Sequence, residues 1–592
     1  MDIPDIEKKR MKGFIVRSLL IIFLYCQTAS STTVSYTVDI DEKSWREINV
    51  SIVIQNNSSN RMLCVLPGWD PFSLTRNHIE SHVQDFTVTG GGASEPTFTR
   101  VNNYSWLINA NRNQVILISY KIGDPQYTGL GKSLSRDFAL INGALLFMYI
   151  REFQHLPINL TVNVPYNWKL ATNLPFDSED FQYRAQNYQE LIQNPLFMGP
   201  FEEIYFDHQG QLHYIIFNGI YKSNMEKLSL TSQKLLAYQT DLFSISFSGR
   251  YLFIFEYLLE QRDPAGQGFP NYAVVYLSSR NIQNDFKNIE KTIGSSFVQS
   301  WFNPLFYRGI AEKIYEPQIQ TLWFWKGLAE YYGILSAVRA GSWSEEDFVS
   351  HLISEINRYL RFEKFYELPV ARISYDIQKQ DVNEALEYLK LKGELLCFLL
   401  DVKIRSISQN TRSFDNIAKF IRDWCVDYQG TFSDDDILKI INSLSSINFT
   451  TFFDMYVFGK MMLPINETLE QAGIYAELLV DTIPDLDHTI LTKNQVVNNL
   501  SSEHPFAIGG IKNGDKIVAM NNVRITDRFD FRKFIESQSV SSEIEVMVER
   551  DRLSVLHLVK IPGKEIPILK LINAIPRTET QLKLRKGLLS GK

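Results

Sequence analysis

The residues with chemistry to offer lie in one aromatic-rich stretch, Lys291–Tyr332, which reads as two helices joined by a loop. On the first, Ile293, Phe297 and Trp301 recur every four residues and share a face, with Ser295, Ser296 and Gln299 among them. On the second, Lys326 and Glu330 stand one turn apart and Tyr331 and Tyr332 follow. Three chemistries fit these types. Lys326 and Glu330 form an ion pair, worth at most ~1 kcal/mol if solvated. Lys326, if it faces a cleft, offers a cation to a peptide carboxylate or acidic side chain. Ser295 or Ser296 with a desolvated Lys326 as base makes a Ser–Lys dyad, provided the side chains meet. Adjacent helix residues point about 100° apart, so at most one of the two tyrosines faces a substrate; core packing is the plainer role.

The rest of the chain offers few rivals. No H-E-x-x-H or G-x-S-x-G occurs, and Gly473–Gly514 holds no phosphate-loop pattern. His78 and His82 have helical metal-pair spacing but no third ligand, and His351 reads as a helix-surface residue. The four cysteines, Cys26, Cys64, Cys397 and Cys425, include no C-x-x-C, which argues against a structural zinc site; one disulfide outside the leader stays open. Cys397, in LLCFLL, reads as a core thiol. A formal net charge of -7 gives no footprint for nucleic acid.

The elements that position this stretch fall into a multidomain α+β chain. Residues 1–31 have a basic segment followed by LLIIFLYC, a signal-peptide layout too short for a comfortable membrane span. Cleavage near Ala29–Ser31 gives an exported soluble protein, periplasmic or extracellular; acylation of Cys26 gives a membrane-anchored lipoprotein, although bulky Tyr25 precedes it. Residues 32–230 carry short alternating runs such as VSYTVDI and EINVSIVIQ, read as an N-terminal antiparallel β domain. Residues 231–465 read as mostly helical. Ser344 is an N-cap candidate ahead of Glu345 and Asp347, and Ala385–Arg405 is a long helix. Residues 466–563 read as a smaller β-rich domain, and 564–592 as a packed or frayed tail.

Several motifs resemble the PDZ-containing glycyl aminopeptidase family of zinc metallopeptidases. LPGWDPF at Leu66–Phe72 is similar to the family's L-P-x-W-x-P-G, and INLTVNVPYNWKLATNLP at Ile158–Pro175 to its strand with P-x-x-W-x-x-A-T. LWFWKGLAEYY resembles L-W-x-x-E-G-x-T-x-Y-Y, and the helix from Ala385 resembles Y-x-K-G-x-L-x-x-x-L-L-D-x-x-I-R. HPFAIGGIKNGDKIVAMNNVRI, with Gly510, Gly514 and Asp515, is similar to a PDZ loop and strand, but no Gly-rich carboxylate-binding loop precedes it. The resemblance implies a central thermolysin-like (gluzincin) domain, a C-terminal PDZ-like domain, and peptides or protein termini as partners. Laid on the family's zinc helix, its two histidines fall at Ser295 and Gln299, its catalytic Glu at Ser296, and its third ligand at Lys326. Zinc hydrolysis needs imidazoles one turn apart and a carboxylate base beside the bound water. The expectation is therefore a non-catalytic relative without zinc or other cofactor, binding peptides through the old cleft or the PDZ-like domain. The alternative is a hydrolase with a relocated metal site or Ser–Lys chemistry. Three nitrogen or carboxylate donors converging on one point of that cavity would overturn the first expectation.

Overall fold

A computed structural model describes residues 31–591, apart from 41–46, 68, 71–74, 77–80, 93, 124–132, 135–137, 221, 246–249, 259–262, 307–320, 363–366, 381, 428–431, 488–489, 493 and 527. The leader with Cys26, and His78, therefore lie outside the described residues. No helix among those described is long and apolar enough to cross a membrane. Contacts divide the chain into two compact units, one of residues 1–229, 246–284 and 303–317, the other of 230–245, 285–302 and 318–592.

The first unit is built on sheets. Strands β1 (Thr33–Ile40), β2 (Ile48–Gln55), β3 (Val83–Gly91), β4 (Val115–Ile122), β5 (Ile158–Asn163), β6 (Phe176–Asp177) and β7 (Gln182–Ala185) form a seven-stranded sheet in the order β6-β7-β5-β1-β2-β4-β3. Along β1 and β2 every second side chain is buried, as the alternating sequence requires when one face meets a core. The expected antiparallel pairing holds except between β1 and β5, which run parallel. More than a hundred residues separate those two strands, so no hairpin turn constrains their direction. Buried Tyr36 and Tyr120 donate their hydroxyls to the carbonyls of Met148 and Leu146, at 2.7 and 2.9 Å.

A second sheet cuts into the stretch read as mostly helical. Strands β8 (Glu202–His208), β9 (Gln211–Asn218), β10 (Leu252–Tyr257), β11 (Ala265–Phe269) and β12 (Tyr272–Leu277) pair in the order β8-β9-β10-β12-β11. Sequence reading missed three strands here, β10, β11 and β12; β10 and β12 are LFIFEY and YAVVYL, buried on both faces apart from Tyr257. Such strands do not alternate, and periodicity cannot separate a short apolar run of this kind from a helix segment.

The second unit is helical at its centre. Its site-bearing helices are α1 (Phe286–Phe306), α2 (Leu322–Arg339), α3 (Glu345–Leu360) and α4 (Val382–Ser408). Phe297 and Trp301 stack at 6.2 Å on one face of α1, as their spacing requires. Ser344 caps α3 in a reciprocal capping box with Asp347, and Glu345, Glu346 and Asp347 fill its first turn. Helices α2 and α4 meet backbone to backbone at Gly327 and Gly393: a Cβ on Gly327 would lie 2.1 Å from the Gly393 carbonyl carbon. Only residues without side chains permit that approach.

At the C-terminal end, β13 (Lys516–Met520), β14 (Val523–Arg524), β15 (Glu543–Arg550) and β16 (Leu553–Lys560) form a four-stranded sheet in the order β14-β13-β15-β16, with helix α5 (Arg528–Glu536). Phe506, Ile517, Phe531, Val546 and Val548 lie in its own core. The residues read as a tail are structured. Gly563–Asn573 pairs antiparallel with Tyr475–Pro484, and helix Glu579–Ser590 is held by Arg339, whose guanidinium donates to the Leu588 carbonyl at 2.7 and 3.0 Å.

Candidate functional site

The site lies on α1–α4, all within the second unit for the residues concerned. Ser295, Ser296 and Gln299 are buried on α1. Ser296 donates its hydroxyl to the Thr292 carbonyl at 2.7 Å, and Ser295 to the same carbonyl at 3.3 Å. Both hydroxyls are thus turned back onto their own helix, a common state for serine inside a helix. Neither donates to Lys326, which leaves the Ser–Lys dyad without the contact it requires.

Lys326 is 6% exposed, and its ammonium has no hydrogen bond or ion pair among the described residues. Burial pushes its pKa down to about 7, and nearby Lys390 on α4 adds to the fall while Glu330 opposes it. The expected Lys326–Glu330 pair does not form. Glu330 reaches instead to Lys291, with an Oε2–Nζ distance of 3.2 Å. The reason is direction: Lys291, one turn before Ser295 on α1, lies alongside Glu330 where the two helices pack.

Lys291 is the hub of a buried charge cluster. Its ammonium also lies 3.4 Å from Glu394 on α4, and Glu394 lies 3.1 Å from His351 Nε2 on α3. Burial alone would lower the Lys291 pKa; the Glu394, Glu355 and Glu330 carboxylates overcome this and hold it above the ordinary lysine value. Glu355 takes two bonds from Arg358, at 2.8 and 2.7 Å. Arg358 extends the chain of charges to Glu387 at 2.9 Å, and Glu387 binds Arg532 on α5. His351 is therefore not a free surface residue. With Glu355 and Glu394 it brings three metal-capable atoms within 4.8 Å of one another. This convergence surrounds the Lys291 ammonium, one turn before Ser295 and two before Gln299 on α1, and its carboxylates are already engaged by Lys291 and Arg358.

Sequence reasoning missed this cluster, although two signals were present. His351 and Glu355 have i, i+4 spacing. Glu355 also sits on the apolar stripe Phe348, Val349, Leu352, Ile356, Tyr359, where a carboxylate demands a buried partner.

The tyrosines proposed for the cleft serve the core. Tyr331 donates to Asp401 and Tyr332 to Asp415, each at 2.8 Å. Arg405 bridges the two carboxylates at 2.9 and 3.1 Å, and Arg339 adds a bond to Asp415 at 3.0 Å. Both hydroxyls are consumed in a satisfied network, so neither is available to an oxyanion. In the C-terminal domain, Gly510 and Gly514 take φ of +90° and +92°, and Asp515 accepts from Lys512 N and twice from Arg550, at 2.7, 2.7 and 2.6 Å. Those bonds hold the Asp515 carboxyl below the usual carboxylate range against the effect of burial. These residues build the turn into β13.

Comparison with known proteins gives three regional matches. Residues 35–200 match the peptidase M61 N-terminal domain, 313–394 the M61 glycyl aminopeptidase region, and 484–560 a PDZ domain. The chain carries both M61 regions and a PDZ domain. Among solved structures, an aminopeptidase N family protein from Idiomarina loihiensis is similar over 94% of this chain and 100% of its own, with a TM-score of 0.74 and 18% identity, which shows the shared fold. An M1 zinc metallopeptidase from Deinococcus radiodurans covers 73% of this chain and 94% of its own at 11% identity and a TM-score of 0.43. No curated protein sequence matches the chain. The M61 glycyl aminopeptidase match includes Lys326, His351, Glu355 and Glu394 and begins after α1.

The four residues that the resemblance lays on the zinc positions, Ser295, Ser296, Gln299 and Lys326, do not suit the metal. Two serine hydroxyls bonded to their own backbone, a buried amide and an ammonium supply no imidazole and no carboxylate. No catalytic step is derived through zinc at that place.

Proposed function

We propose that this chain is a non-catalytic relative of M61 glycyl aminopeptidases that retains the fold to bind peptides. The observation that carries the reading is Lys326: a buried lysine with no hydrogen-bond or ion-pair partner among the described residues stands where the resemblance puts a metal-binding carboxylate. The PDZ domain and the peptidase ancestry both favour a peptide as ligand. The basic and apolar leader supports export, with Cys26 as a lipid-attachment candidate. The test is metal analysis of untagged protein, with a glycyl- and alanyl-peptide cleavage assay on the same sample. The expected outcome is no stoichiometric zinc and no cleavage; bound zinc with chelator-sensitive turnover refutes the proposal.

One observation favours a second reading, a hydrolase with a relocated metal. His351, Glu355 and Glu394 are a donor set of the right types for zinc or a harder dication. Against it, a metal there must displace Lys291 from Glu394 and share Glu355 with Arg358, so two positive groups oppose its entry. Soaking with zinc followed by absorption-edge spectroscopy separates the readings: His and carboxylate ligation would favour the second.

A further inference from the structure

We propose that the PDZ domain is a hinged arm, carried on a two-stranded stalk and latched to the helical centre of the second unit by Arg532. The inference stands apart from the non-catalytic reading and concerns how the PDZ domain is held. Both of the domain's chain connections run through one ribbon. Tyr475–Pro484 leads in, Gly563–Asn573 leads out, and the two pair antiparallel from Tyr475↔Asn573 to Pro484↔Gly563. Among the described residues the domain's hydrophobic core runs from Leu486 to Ile561 and draws on nothing outside that range, so the domain can move as one body. The stalk strand of 10 residues spans about 33 Å. A ribbon of two strands has no third strand to stiffen it, and Leu478 and Val480 stand exposed along it. Its foot is fixed: the Asn357 side chain on α3 bonds the Leu569 N–H and C=O at 2.6 and 3.0 Å. The bend therefore falls between that point and Pro484.

The latch is a single guanidinium. Phe531, Phe534 and Ile535 anchor α5 in the domain's own core, while Arg532 leaves it for the helical centre. Arg532 pairs with Glu387 on α4, comes within 4.0 Å of Glu384 on the same helix, and lies 5.1 Å from the centre of the Phe362 ring. A planar guanidinium can bind carboxylates through its N–H fork while its face covers an aromatic ring. The arrangement also lets the pair open. Glu387 keeps Arg358 at 2.9 Å when Arg532 leaves, so no buried carboxylate is orphaned. Arg532 in turn keeps Glu536 on its own helix, 3.8 Å away. The side chains of Arg532, Glu387 and Glu384 are 19, 16 and 15% exposed, so water and salt ions reach the latch. Through Arg358 and Glu355 it is continuous with the charge cluster around Lys291.

The experiment is small-angle X-ray scattering of the full chain at about 0.05 and 1 M salt. Wild type is compared with Arg532→Met, Arg532→Gln and Arg532→Lys, and hydrogen exchange is followed in β15 and β16. Wild type is expected to be compact at low salt and to gain on the order of 10 Å in maximum dimension at high salt, a fraction of the stalk length. Arg532→Met and Arg532→Gln are expected to be extended already at low salt, and Arg532→Lys to lie between. Protection of β15 and β16 is expected to stay as in wild type, which separates release of a folded domain from its unfolding. Wild type that does not respond to salt, or low-salt scattering by both Arg532→Met and Arg532→Gln equal to that of wild type, overturns the latch. Expansion accompanied by lost protection in β15 and β16 overturns the hinged arm. Zinc-dependent cleavage would remove the proposed function and leave this inference standing.

Discussion

Replacing Lys326 by methionine should stabilise the protein, by an amount that depends on pH. The two side chains are similar in length, so methionine fills the same space without a charge to desolvate. A pKa carried from 10.5 to about 7 by burial corresponds to about 5 kcal/mol of disfavour for the ammonium. Protein relaxation and partial hydration reduce that ceiling, and a gain of about 2–4 kcal/mol near pH 7 is expected. The sign follows from a depressed folded-state pKa. Wild-type stability associated with Lys326 is fully present above pH 10.5, is lost as pH falls toward 7, and is flat below. The advantage of the variant is therefore largest at pH 6–7 and shrinks by up to about 1.4 kcal/mol per pH unit above that. Urea unfolding followed by tryptophan fluorescence, at pH 6, 7.5 and 9 on both proteins, measures this gap, with Trp323 and Trp325 on the same helix as local reporters. A gap that does not change with pH, or a variant less stable than wild type at pH 7, would refute the assignment of Lys326 as a buried, uncompensated cation.

The remaining predictions concern its neighbours. Lys291→Met leaves Glu330 and Glu394 without their shared ammonium and should cost about 3–5 kcal/mol in the same unfolding assay. The same change releases Glu394, the member of the His351, Glu355 and Glu394 set that Lys291 engages, so zinc titration should show tighter binding to folded Lys291→Met than to wild type. Gly327→Ala should cost about 3 kcal/mol or more, read as a lower denaturation midpoint, because the new methyl would meet Gly393 backbone that has no side chain to move aside.

How much of this was legible in the chain depends on the range of the interaction concerned. Helices α1 and α2, the cap of α3 at Ser344 and the turn at Gly514–Asp515 follow from spacing and local hydrogen bonding, so they could be read directly. Strands β10 and β12 could not, since two-sided burial erases the alternation that marks a strand. The parallel pairing of β1 with β5 is likewise a choice among distant partners. The absence of imidazole or carboxylate at Ser295, Ser296, Gln299 and Lys326 needs only residue types and a resemblance.

What residue types cannot say is which charge meets which. Glu330 is one turn from Lys326 in the chain, yet it pairs with Lys291 because α1 packs alongside α2. His351 and Glu394 are separated by 43 residues and meet only because α3 and α4 close on the same helix. Tyr331 and Tyr332 look suited to a cleft until Asp401 and Asp415 arrive from α4 and beyond to accept their hydrogen bonds. The sequence by itself determined the chemical alphabet of the site and the helices that carry it. Tertiary packing decided the partners, because Coulombic and hydrogen-bond energies depend on distances of a few ångströms between residues that the chain holds far apart.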